Sequence, residues 1–297
     1  TSNPAIDLAA SVPHVVPGPK LYCSAPRVDP GGGGVNVARA IHKLGGAVSA
    51  LVAVGGVSGQ RLMQLLTQEG VPVHPVPVSG ETRQSLAVTD EETGGQYRFS
   101  LPGHILTKED GTKLVSEIAA MVQQGCYVVL SGGAAPGLGD DFPEHVQAAI
   151  AARTDKLIVD TSKTALIRLV QRPAQPLHIL RLDKREAVNA AGHPLNALED
   201  CVAFADRLID RGVARTIVTS REAEGSILVT EGARYSCRGP EVKVVSKVGA
   251  GDAFVGVLTL ALADGQSPSV ALQWGVAAAT ATMGTEGTTF CVRRVVQ

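Results

Sequence analysis

The chain has 297 residues, a formal net charge of −1 and 44% hydrophobic residues. This length fits one large α/β domain or two smaller ones, and either is long enough to bury a substantial core. The near-neutral charge argues against nucleic acid as the main partner. No segment contains the roughly 18 uninterrupted apolar residues of a membrane helix, so we expect no membrane partner.

Cysteine and histidine usage argues against a disulfide scaffold and against a protein-ligated metal. The five cysteines are widely spaced and form no C-x-x-C pair, and the seven histidines form no H-E-x-x-H motif. We therefore expect free thiols in a reducing compartment and a cytoplasmic location. The chain begins TSNPAIDLAA without Met or a signal peptide, and we expect that a few residues of its first strand precede Thr1.

Apolar runs rich in β-branched residues predict buried strands that end at Gly, Ser or Asp. They lie at 47–56, 126–133, 156–162, 177–183 and 215–220. Helical patterns lie between them, for example at 61–70, 112–125 and 197–212. This alternation indicates a parallel sheet covered by helices on both faces, with ligands at the carboxyl ends of the strands.

Two stretches, 20–29 and 82–100, alternate apolar and polar residues without helices between them, and DEETGG at 90–95 indicates a hairpin turn. We expect these stretches to form a small β-flap, spanning about 18–30 and 82–100, that stands off the main sheet of a single domain covering 1–297. A flap with one exposed apolar face needs a partner. This suggests a homodimer joined through the flaps.

Four consecutive glycines, Gly31–Gly34, stand directly before a predicted helix that carries Asn36 in its first turn. Glycine loses more conformational freedom on folding than any other residue. Such a run therefore indicates that something approaches the backbone so closely that side chains are excluded.

A second glycine cluster joins a predicted strand to a nearly all-apolar helix within 242–265, at Gly249-Ala250-Gly251-Asp252. The start of a helix carries free N–H groups and a partial positive charge, so it can bind an anion such as a phosphate. Asp252 could be a simple N-cap. It could also accept a proton from a hydroxyl that attacks phosphorus, and the two glycines beside it favour this second interpretation.

Neither cluster fits the better-known nucleotide-binding motifs. Phe254 stands where the dinucleotide fingerprint G-x-G-x-x-G has its third glycine, and Asn36 breaks the pattern in the first cluster. The phosphate-binding loop G-x-x-x-x-G-K-[ST] is absent as well. A nicotinamide-dependent oxidoreductase is therefore a weak alternative.

The two clusters, in this order, resemble the ribokinase-like (PfkB) carbohydrate kinases, most closely the ribokinase-like 6-phosphofructokinases. The resemblance spans essentially the whole chain. It is carried by NPAID (3–7), GPKLYCSAP with DPGGGGVNVARAIHKLGG (18–46), TRQSLAV with QYRFSLPG (82–103), and KVGAGDAF (247–254). It implies an α/β fold, a three-layer sandwich with a mostly parallel central sheet and the β-flap as its lid.

The resemblance also implies roles for individual residues. Asp252 would act as the general base, and the amides of Gly249, Ala250 and Gly251 would form an anion hole around the transferred group. The sugar phosphate would be held by Asp7, Lys20, Gly33, Gly34, Asn36 and Arg83, with Lys20 and Arg83 binding the phosphate it already carries.

By the same resemblance, ATP would lie in the other half of the crevice. Its binding residues would be Asp183, Glu186, Ser220 and Gly225, with the small-residue stretch 275–288 as a slot for adenine. Mg²⁺ would bridge the phosphates, with Glu186 acting on it through water. The implied reaction is attack of the C1 hydroxyl of fructose 6-phosphate on the γ-phosphorus, which yields fructose 1,6-bisphosphate.

Four positions depart from the pattern of these kinases. Asp183 replaces an asparagine, Glu222 a glycine, Gly133 a serine and Tyr22 an arginine. Two alternatives therefore stay open. One is a kinase for another sugar, such as tagatose 6-phosphate, fructose 1-phosphate or an unphosphorylated sugar. The other is a non-catalytic sugar-phosphate sensor that has lost nucleotide binding.

Overall fold

The structure, a computed structural model, describes residues 1–285 and 290, and it confirms the predicted alternation of strands and helices. The strands are β1 (Ala5–Val12), β2 (Arg27–Gly31), β3 (Ala50–Val54), β4 (Val73–Pro77), β5 (Arg83–Asp90), β6 (Gln96–Ser100), β7 (Val128–Ser131), β8 (Leu157–Asp160), β9 (Leu177–Leu182), β10 (Ala214–Ser220), β11 (Ser226–Thr230) and β12 (Arg234–Cys237). The helices are α1 (Gly33–Lys43), α2 (Gly56–Gln68), α3 (Lys108–Met121), α4 (Phe142–Ile150), α5 (Lys163–Gln171), α6 (Lys184–Ala191), α7 (Leu198–Asp210), α8 (Ala250–Ala263) and α9 (Pro268–Met283), with a short 3₁₀ helix at Glu222–Glu224.

The main sheet has six strands in the order β12-β11-β10-β9-β8-β7. Strands β7 to β10 are parallel to one another, and β11 and β12 run antiparallel at one edge. The predicted strand at 47–56 is β3, which pairs in parallel with β4 in a separate two-stranded sheet. The carboxyl ends of β7, β8, β9 and β10 therefore lie along one edge of the main sheet, as the sequence predicts.

Helices cover both faces of the main sheet, which gives the three layers expected from the resemblance. On one face, α1, α8 and α9 pack on the sheet through side chains such as Val37, Phe254 and Leu272. On the other face, α4, α5 and α7 contribute Val146, Leu169, Phe204 and others to a larger core. Because helices cover both faces of the sheet, the side chains on both sides of a central strand are buried, and the strands can be almost wholly apolar. All four residues of β8 are buried.

The flap is a four-stranded sheet in the order β2-β1-β5-β6. The predicted hairpin is confirmed, because β5 and β6 are antiparallel and joined at 91–95. The predicted first arm is only partly right, because β2 begins at Arg27 and residues 20–26 form no strand. The strand that completes the flap is β1, which pairs with β2 and in parallel with β5. Asp7 therefore lies near the beginning of β1.

The strand predicted immediately before Gly249 does not form. Residues 242–248 lack regular structure, and the N–H groups of Val245 and Ser246 both donate to the carbonyl of Met283 at the end of α9. The alternating apolar residues of this stretch look like a strand, but Val242 and Val244 are exposed and the segment has no strand beside it. A local alternation cannot reveal whether a sheet edge is available.

Thr1 is hydrogen bonded to β3. Its amino group donates to the carbonyl of Leu51 at 2.7 Å, and the N–H of Ala53 donates to the carbonyl of Thr1 at 3.1 Å. A mainly apolar cavity of about 630 Å³ lies beside it, between β3 and β7. The expectation that strand residues precede Thr1 stays a prediction. Among the described residues, no helix is both long and apolar enough to span a membrane.

Candidate active site

A cavity of about 620 Å³ lies between the flap sheet and the start of α8. It brings together Asp7, Asn36, Arg83, Gly249 and Asp252, five of the residues predicted from the sequence to bind or react with a sugar. These residues come from β1, α1, β5 and α8, so the site forms only when the flap and the main layers meet. Lys20, Gly33 and Gly34 are not among the residues that line it.

The four glycines before α1 are required mainly by contacts within the protein. Gly32 has φ +105°, and a Cβ there would lie 2.9 Å from the backbone of Pro4. A Cβ on Gly33 would lie 2.6 Å from Ser131 Oγ and 2.7 Å from the Gly132 nitrogen, at the end of β7. Side chains on Gly31 and Gly34 would collide with the side chains of Asp7 and Thr1, respectively. Gly32 is the one member of the cluster that also lines the cavity.

Asp252 lies in the first turn of α8, three residues after the N-cap residue Gly249. Gly249 has φ +78°, a left-handed backbone conformation that glycine adopts readily. The N-cap position of α8 is occupied by Gly249, so the interpretation of Asp252 as a simple N-cap is wrong. Its carboxylate instead accepts a hydrogen bond of 2.8 Å from Asn36 Nδ2 and lines the cavity.

Burial raises the pKa of Asp252 to about 7. The carboxylates of Asp160 and Asp7 contribute to this rise, whereas the hydrogen bond from Asn36 and the guanidinium of Arg181 oppose it. A carboxyl group with a pKa near neutrality is well matched to proton transfer at physiological pH. The geometry and electrostatics of Asp252 therefore both suit a general base.

Asp7 stands across the cavity from α8. It lies directly opposite Asp29 on β2 and Ser85 on β5, and its carboxylate packs over Gly31. Burial raises its pKa, and the positive charge of Arg83 opposes that shift. The carboxylate oxygens of Asp7 are acceptors that could hold sugar hydroxyl groups.

The cationic side of the cavity is formed by arginines, not by lysine. Arg83 donates to Ser85 Oγ at 3.1 Å and to Ser100 Oγ at 3.0 Å, which fixes its guanidinium on the flap. Arg98 on β6 also lines the cavity, and within residues 1–285 it forms no ion pair. Lys20 lies in the exposed loop before β2 and is not among the residues that line the cavity. Arg98 was missed because a lone arginine in an alternating strand gives no signal of which face it occupies.

The carboxyl ends of the central strands carry a second polar group beside α8. Arg181 at the end of β9 donates to Asp160 Oδ1 at 3.2 Å and to Ser220 Oγ at 3.1 Å. A Cβ on Gly251 would lie 3.2 Å from Arg181 Nη2, so this guanidinium packs against the proposed anion hole. The sequence analysis singled out Ser220 but neither Asp160 nor Arg181. The polar residues that close the strands were the signal that could have found them.

Asp183 and Glu186 form a capping box at the start of α6. Asp183 Oδ1 accepts from the Glu186 N–H at 2.7 Å, and Glu186 Oε2 accepts from the Asp183 N–H at 2.8 Å. Asparagine and aspartate are about equally good N-caps, so this role tolerates aspartate at position 183. The pKa of Glu186 is raised to about 7, chiefly by burial. The hydrogen bond from the Asp183 N–H and the charge of Arg181 oppose the rise, and the carboxylates of Asp183 and Asp160 add to it.

The described residues contain no cluster of three or more His, Cys, Asp or Glu side chains that could hold a metal ion. Mg²⁺ commonly binds through one or two carboxylates, water and substrate phosphates, and does not need a full protein cage. Glu186 fits such an arrangement because only one of its carboxylate oxygens is used in the capping box.

Gly225 closes the turn after β10. It has φ +94°, and a Cβ there would collide with the carbonyl of Cys237 on β12. Glu222, at the position where the resemblance led us to expect glycine, has φ +56°. The left-handed backbone explains why glycine is expected at this position and why glutamate there is strained.

The small-residue stretch at 275–288 lies mostly in α9. Gly275 lets α9 approach Phe254 of α8, and Thr280 packs against Gly239. These contacts give the small side chains a packing role, and the adenine slot stays a prediction. Residues 286–288 lie outside the described residues.

A three-layer α/β fold with a β-flap, a buried carboxylate at the start of a helix and arginines facing it across a cavity together define a carbohydrate kinase. Residues 1–294 match the pfkB family of carbohydrate kinases, and the chain belongs to this family.

Relatives and solved structures agree with this assignment. The chain is 38% identical over 293 residues to an ATP-dependent 6-phosphofructokinase isozyme 2 from Mycobacterium tuberculosis, covering 99% of this chain and 85% of that protein. It is 31% identical to a 1-phosphofructokinase from Xanthomonas campestris, covering 89% of this chain and 83% of the relative. The crystal structure of phosphofructokinase-2 from Escherichia coli in complex with substrates and products superimposes with a TM-score of 0.93 at 34% identity, over 100% of this chain and 95% of that one.

Proposed function

We propose that this chain transfers the γ-phosphoryl group of ATP to the C1 hydroxyl of fructose 6-phosphate and so makes fructose 1,6-bisphosphate. The observation that carries the proposal is the position of Asp252. Its carboxylate is held by Asn36 at the start of α8 and faces a cavity whose flap side carries Arg83 and Arg98. The Mycobacterium tuberculosis relative bears the name of this activity.

In this proposal Asp252 accepts the proton of the attacking hydroxyl. The first-turn N–H groups of a helix have no acceptor within the helix, so those of Ala250, Gly251 and Asp252 are available to the negative charge on the transferred group. Arg181, which packs against Gly251, adds a positive charge at the same place. These donors would stabilise the negative charge that develops on the phosphoryl group during its transfer.

The sugar phosphate would be held from both sides of the cavity. Asp7 and Asn36 would bind its hydroxyl groups, and Arg83 and Arg98 would bind its phosphate. Arg98 takes the place that the sequence analysis gave to Lys20. Gly33 and Gly34 support the site by letting α1 approach β7 and Thr1.

ATP would lie over the carboxyl ends of β9 and β10. Ser220 and Gly225 would border it, Asp183 would position α6, and Glu186 would hold Mg²⁺ through water. The metal ion, when bound, would neutralise phosphate charge. The free thiols of the four described cysteines fit the cytoplasmic location that we propose for the enzyme.

A coupled assay across a panel of sugar phosphates, with ATP and GTP as donors, tests the proposal. We expect the highest kcat/KM for fructose 6-phosphate with ATP. A clear preference for fructose 1-phosphate, for tagatose 6-phosphate or for an unphosphorylated sugar would overturn the substrate assignment. The 31% identity to a 1-phosphofructokinase makes fructose 1-phosphate the second candidate.

Calorimetric titration with Mg·ATP separates the kinase from a non-catalytic sensor. A kinase binds the nucleotide at millimolar concentration or below. A protein that binds sugar phosphate but gives no heat with the nucleotide would be a sensor.

We propose in addition that the protein is a homodimer joined through its flaps. Tyr97, Phe99 and Leu101 are 43%, 54% and 56% exposed on or just after β6, and Leu86 is 37% exposed on the neighbouring strand. Exposed apolar residues grouped on one sheet are typical of interaction surfaces.

A further inference from the structure

The amide of Asn36 bridges two charged side chains. Asn36 is buried in the first turn of α1, and its Nδ2 donates to Asp252 Oδ2 at 2.8 Å. Its Oδ1 accepts from Arg39 Nη1 at 3.2 Å, one turn further along the same helix. An amide presents two donors on one atom and an acceptor on the other, and the two ends have nearly the same shape. Its neighbours therefore decide which end faces Asp252.

Arg39 leaves only one orientation for that amide. A guanidinium has five N–H donors and no acceptor, so the amide atom that faces it must be the oxygen. In the reversed orientation the amide NH₂ would face the guanidinium, and the amide oxygen would face the carboxylate. Both contacts would then be repulsive.

Arg39 is itself firmly held. Its Nε donates to Glu69 Oε2 at 2.7 Å, its Nη2 pairs with the other oxygen of Glu69, and its Nη1 also donates to the Pro30 carbonyl at 2.9 Å. The guanidinium lies 5.0 Å from the centre of the Phe290 ring, and the side chain is only 3% exposed. A two-point carboxylate pair fixes the plane of a guanidinium as well as its position.

We propose that Arg39 is a positioning residue that orients the Asn36 amide so that its NH₂ group donates to the carboxylate of Asp252. The expected effect on the catalytic rate rests on the proposed function, in which Asp252 is the general base. The expected effect on the pKa of the Asp252 carboxyl group does not depend on that function.

A hydrogen bond to the ionised form of a carboxyl group lowers its pKa. The charged groups that face Asp252 are Asp160, Asp7 and Arg181. Burial raises the pKa of Asp7 and the positive charge of Arg39 is among those that oppose that rise, so part of any effect on Asp252 could pass through Asp7. The experiments have to separate that charge effect from the amide. Without Arg39 the amide is free to turn its oxygen toward Asp252 once that carboxyl is protonated, where it accepts the carboxyl O–H, so the protonated form gains stability relative to the ionised form. The pKa of Asp252 should then rise above about 7.

The test is a pH titration of the Asp252 carboxyl carbon by NMR on protein labelled with ¹³C-aspartate, with Asp252→Asn to assign the signal. We expect Arg39→Met to raise the measured pKa by about one unit. Arg168→Met is the matched control. Arg168 on α5 also pairs with a glutamate, Glu144 on α4, and neither residue lines the cavity. This variant should leave the Asp252 signal unchanged. An unchanged pKa in Arg39→Met would overturn the proposal.

A double-mutant cycle with Asn36→Leu separates the amide from a direct charge effect. If Arg39 acts through Asn36, adding Arg39→Met to Asn36→Leu moves the pKa of Asp252 little further. An equally large shift in both backgrounds would show direct charge action and would overturn the positioning role. Should Arg39→Met fail to fold, Arg39→Met with Glu69→Gln removes both charges of the pair, and the same outcomes apply.

The pH dependence of kcat/KM then distinguishes this inference from the proposed function. If both hold, the acid limb of the profile moves to higher pH together with the NMR titration. An NMR shift without a matching kinetic shift would leave the positioning role standing and would remove Asp252 as the base.

Discussion

Asp252 meets two opposing demands. Burial and the neighbouring carboxylates disfavour its charge, while Asn36 and Arg181 favour it, and the balance leaves the pKa at about 7. A base must be unprotonated before reaction and must be able to take up a proton during it. A pKa near the working pH meets both needs.

Asp252→Asn should lower kcat by about 10²-fold or more, as expected for loss of a general base. Sugar-phosphate binding, measured by calorimetry, should change little because asparagine has nearly the same shape. Asp264→Asn, an exposed change at the end of the same helix, serves as the control and should keep full activity. A variant at position 252 that kept most of its rate would remove this residue from the mechanism.

Arg98 is the residue at which substrate binding can be tested apart from chemistry. Arg98→Gln should raise the KM for the sugar phosphate by about 10-fold or more, because a hydrogen-bonded charge is lost, with a smaller change in kcat. Arg234→Gln removes an arginine that pairs with Asp206 outside the cavity and should leave KM unchanged. An equal loss for phosphorylated and unphosphorylated sugars would contradict a role in binding phosphate.

At the scale of elements, the junction of the glycine cluster with α1 depends on a close approach to β7. Gly33→Ala places a Cβ against the backbone of Gly132 and should lower the free energy of unfolding by about 1–3 kcal/mol. Gly232→Ala is the control, because a Cβ there has open space. Equal melting temperatures for the two variants would show that the junction can relax.

Helices and strands that can be recognised from the hydrophobic periodicity of their own residues were predicted well from the sequence. Strands β7 to β10 and helix α7 were found within a few residues, because buried strands and amphipathic helices show in their own periodicity. The segment 242–248 was predicted wrongly as a strand, and β1 was not recognised as part of the flap. Both depend on which distant strand lies alongside, which no local pattern records.

The site was predicted in the same uneven way. Asp252 and Asn36 stand in motifs, and the structure brings them to 2.8 Å from each other across 216 residues of sequence. Arg98 lies in a segment that carries the resemblance but was not singled out, Asp160 and Arg181 stand in no motif, and the positions of all three follow from strand register. Lys20 was placed in the site by resemblance, and in the structure it is not among the residues that line the cavity, although Ser24 and Ala25 of the same loop are.

At the scale of the whole molecule, the buried carboxyl group of Asp252 makes stability depend on pH. Its folded pKa of about 7 lies above the ordinary value of 3.8, so the folded form loses stability as the pH rises from about 4 to about 7. Asp252→Asn should therefore stabilise the protein more at pH 8 than at pH 4, by about 4 kcal/mol. Chemical unfolding of both proteins at the two pH values measures the difference. A gain that did not depend on pH would contradict the raised pKa.

The proposed flap-to-flap dimer can be tested at the same scale. Phe99→Glu introduces a charge into the exposed apolar face and should convert the dimer into a monomer, as measured by sedimentation velocity. Val57→Glu changes a residue that is 74% exposed on α2 and should leave the association unchanged. A wild-type protein that sediments as a monomer would refute the dimer.

The close packing around the four glycines before α1 limits how a new substrate preference could arise. Each of these positions is occupied on its outer side by a different neighbour: Asp7, Pro4, Ser131 and Thr1. Enlarging Gly32, Gly33 or Gly34 would collide with Pro4, Ser131 or Thr1, and enlarging Gly31 would displace the carboxylate of Asp7 itself. Variation in sugar choice, whether natural or engineered, should therefore accumulate on β5 and β6, whose side chains can change without moving the protein's own backbone.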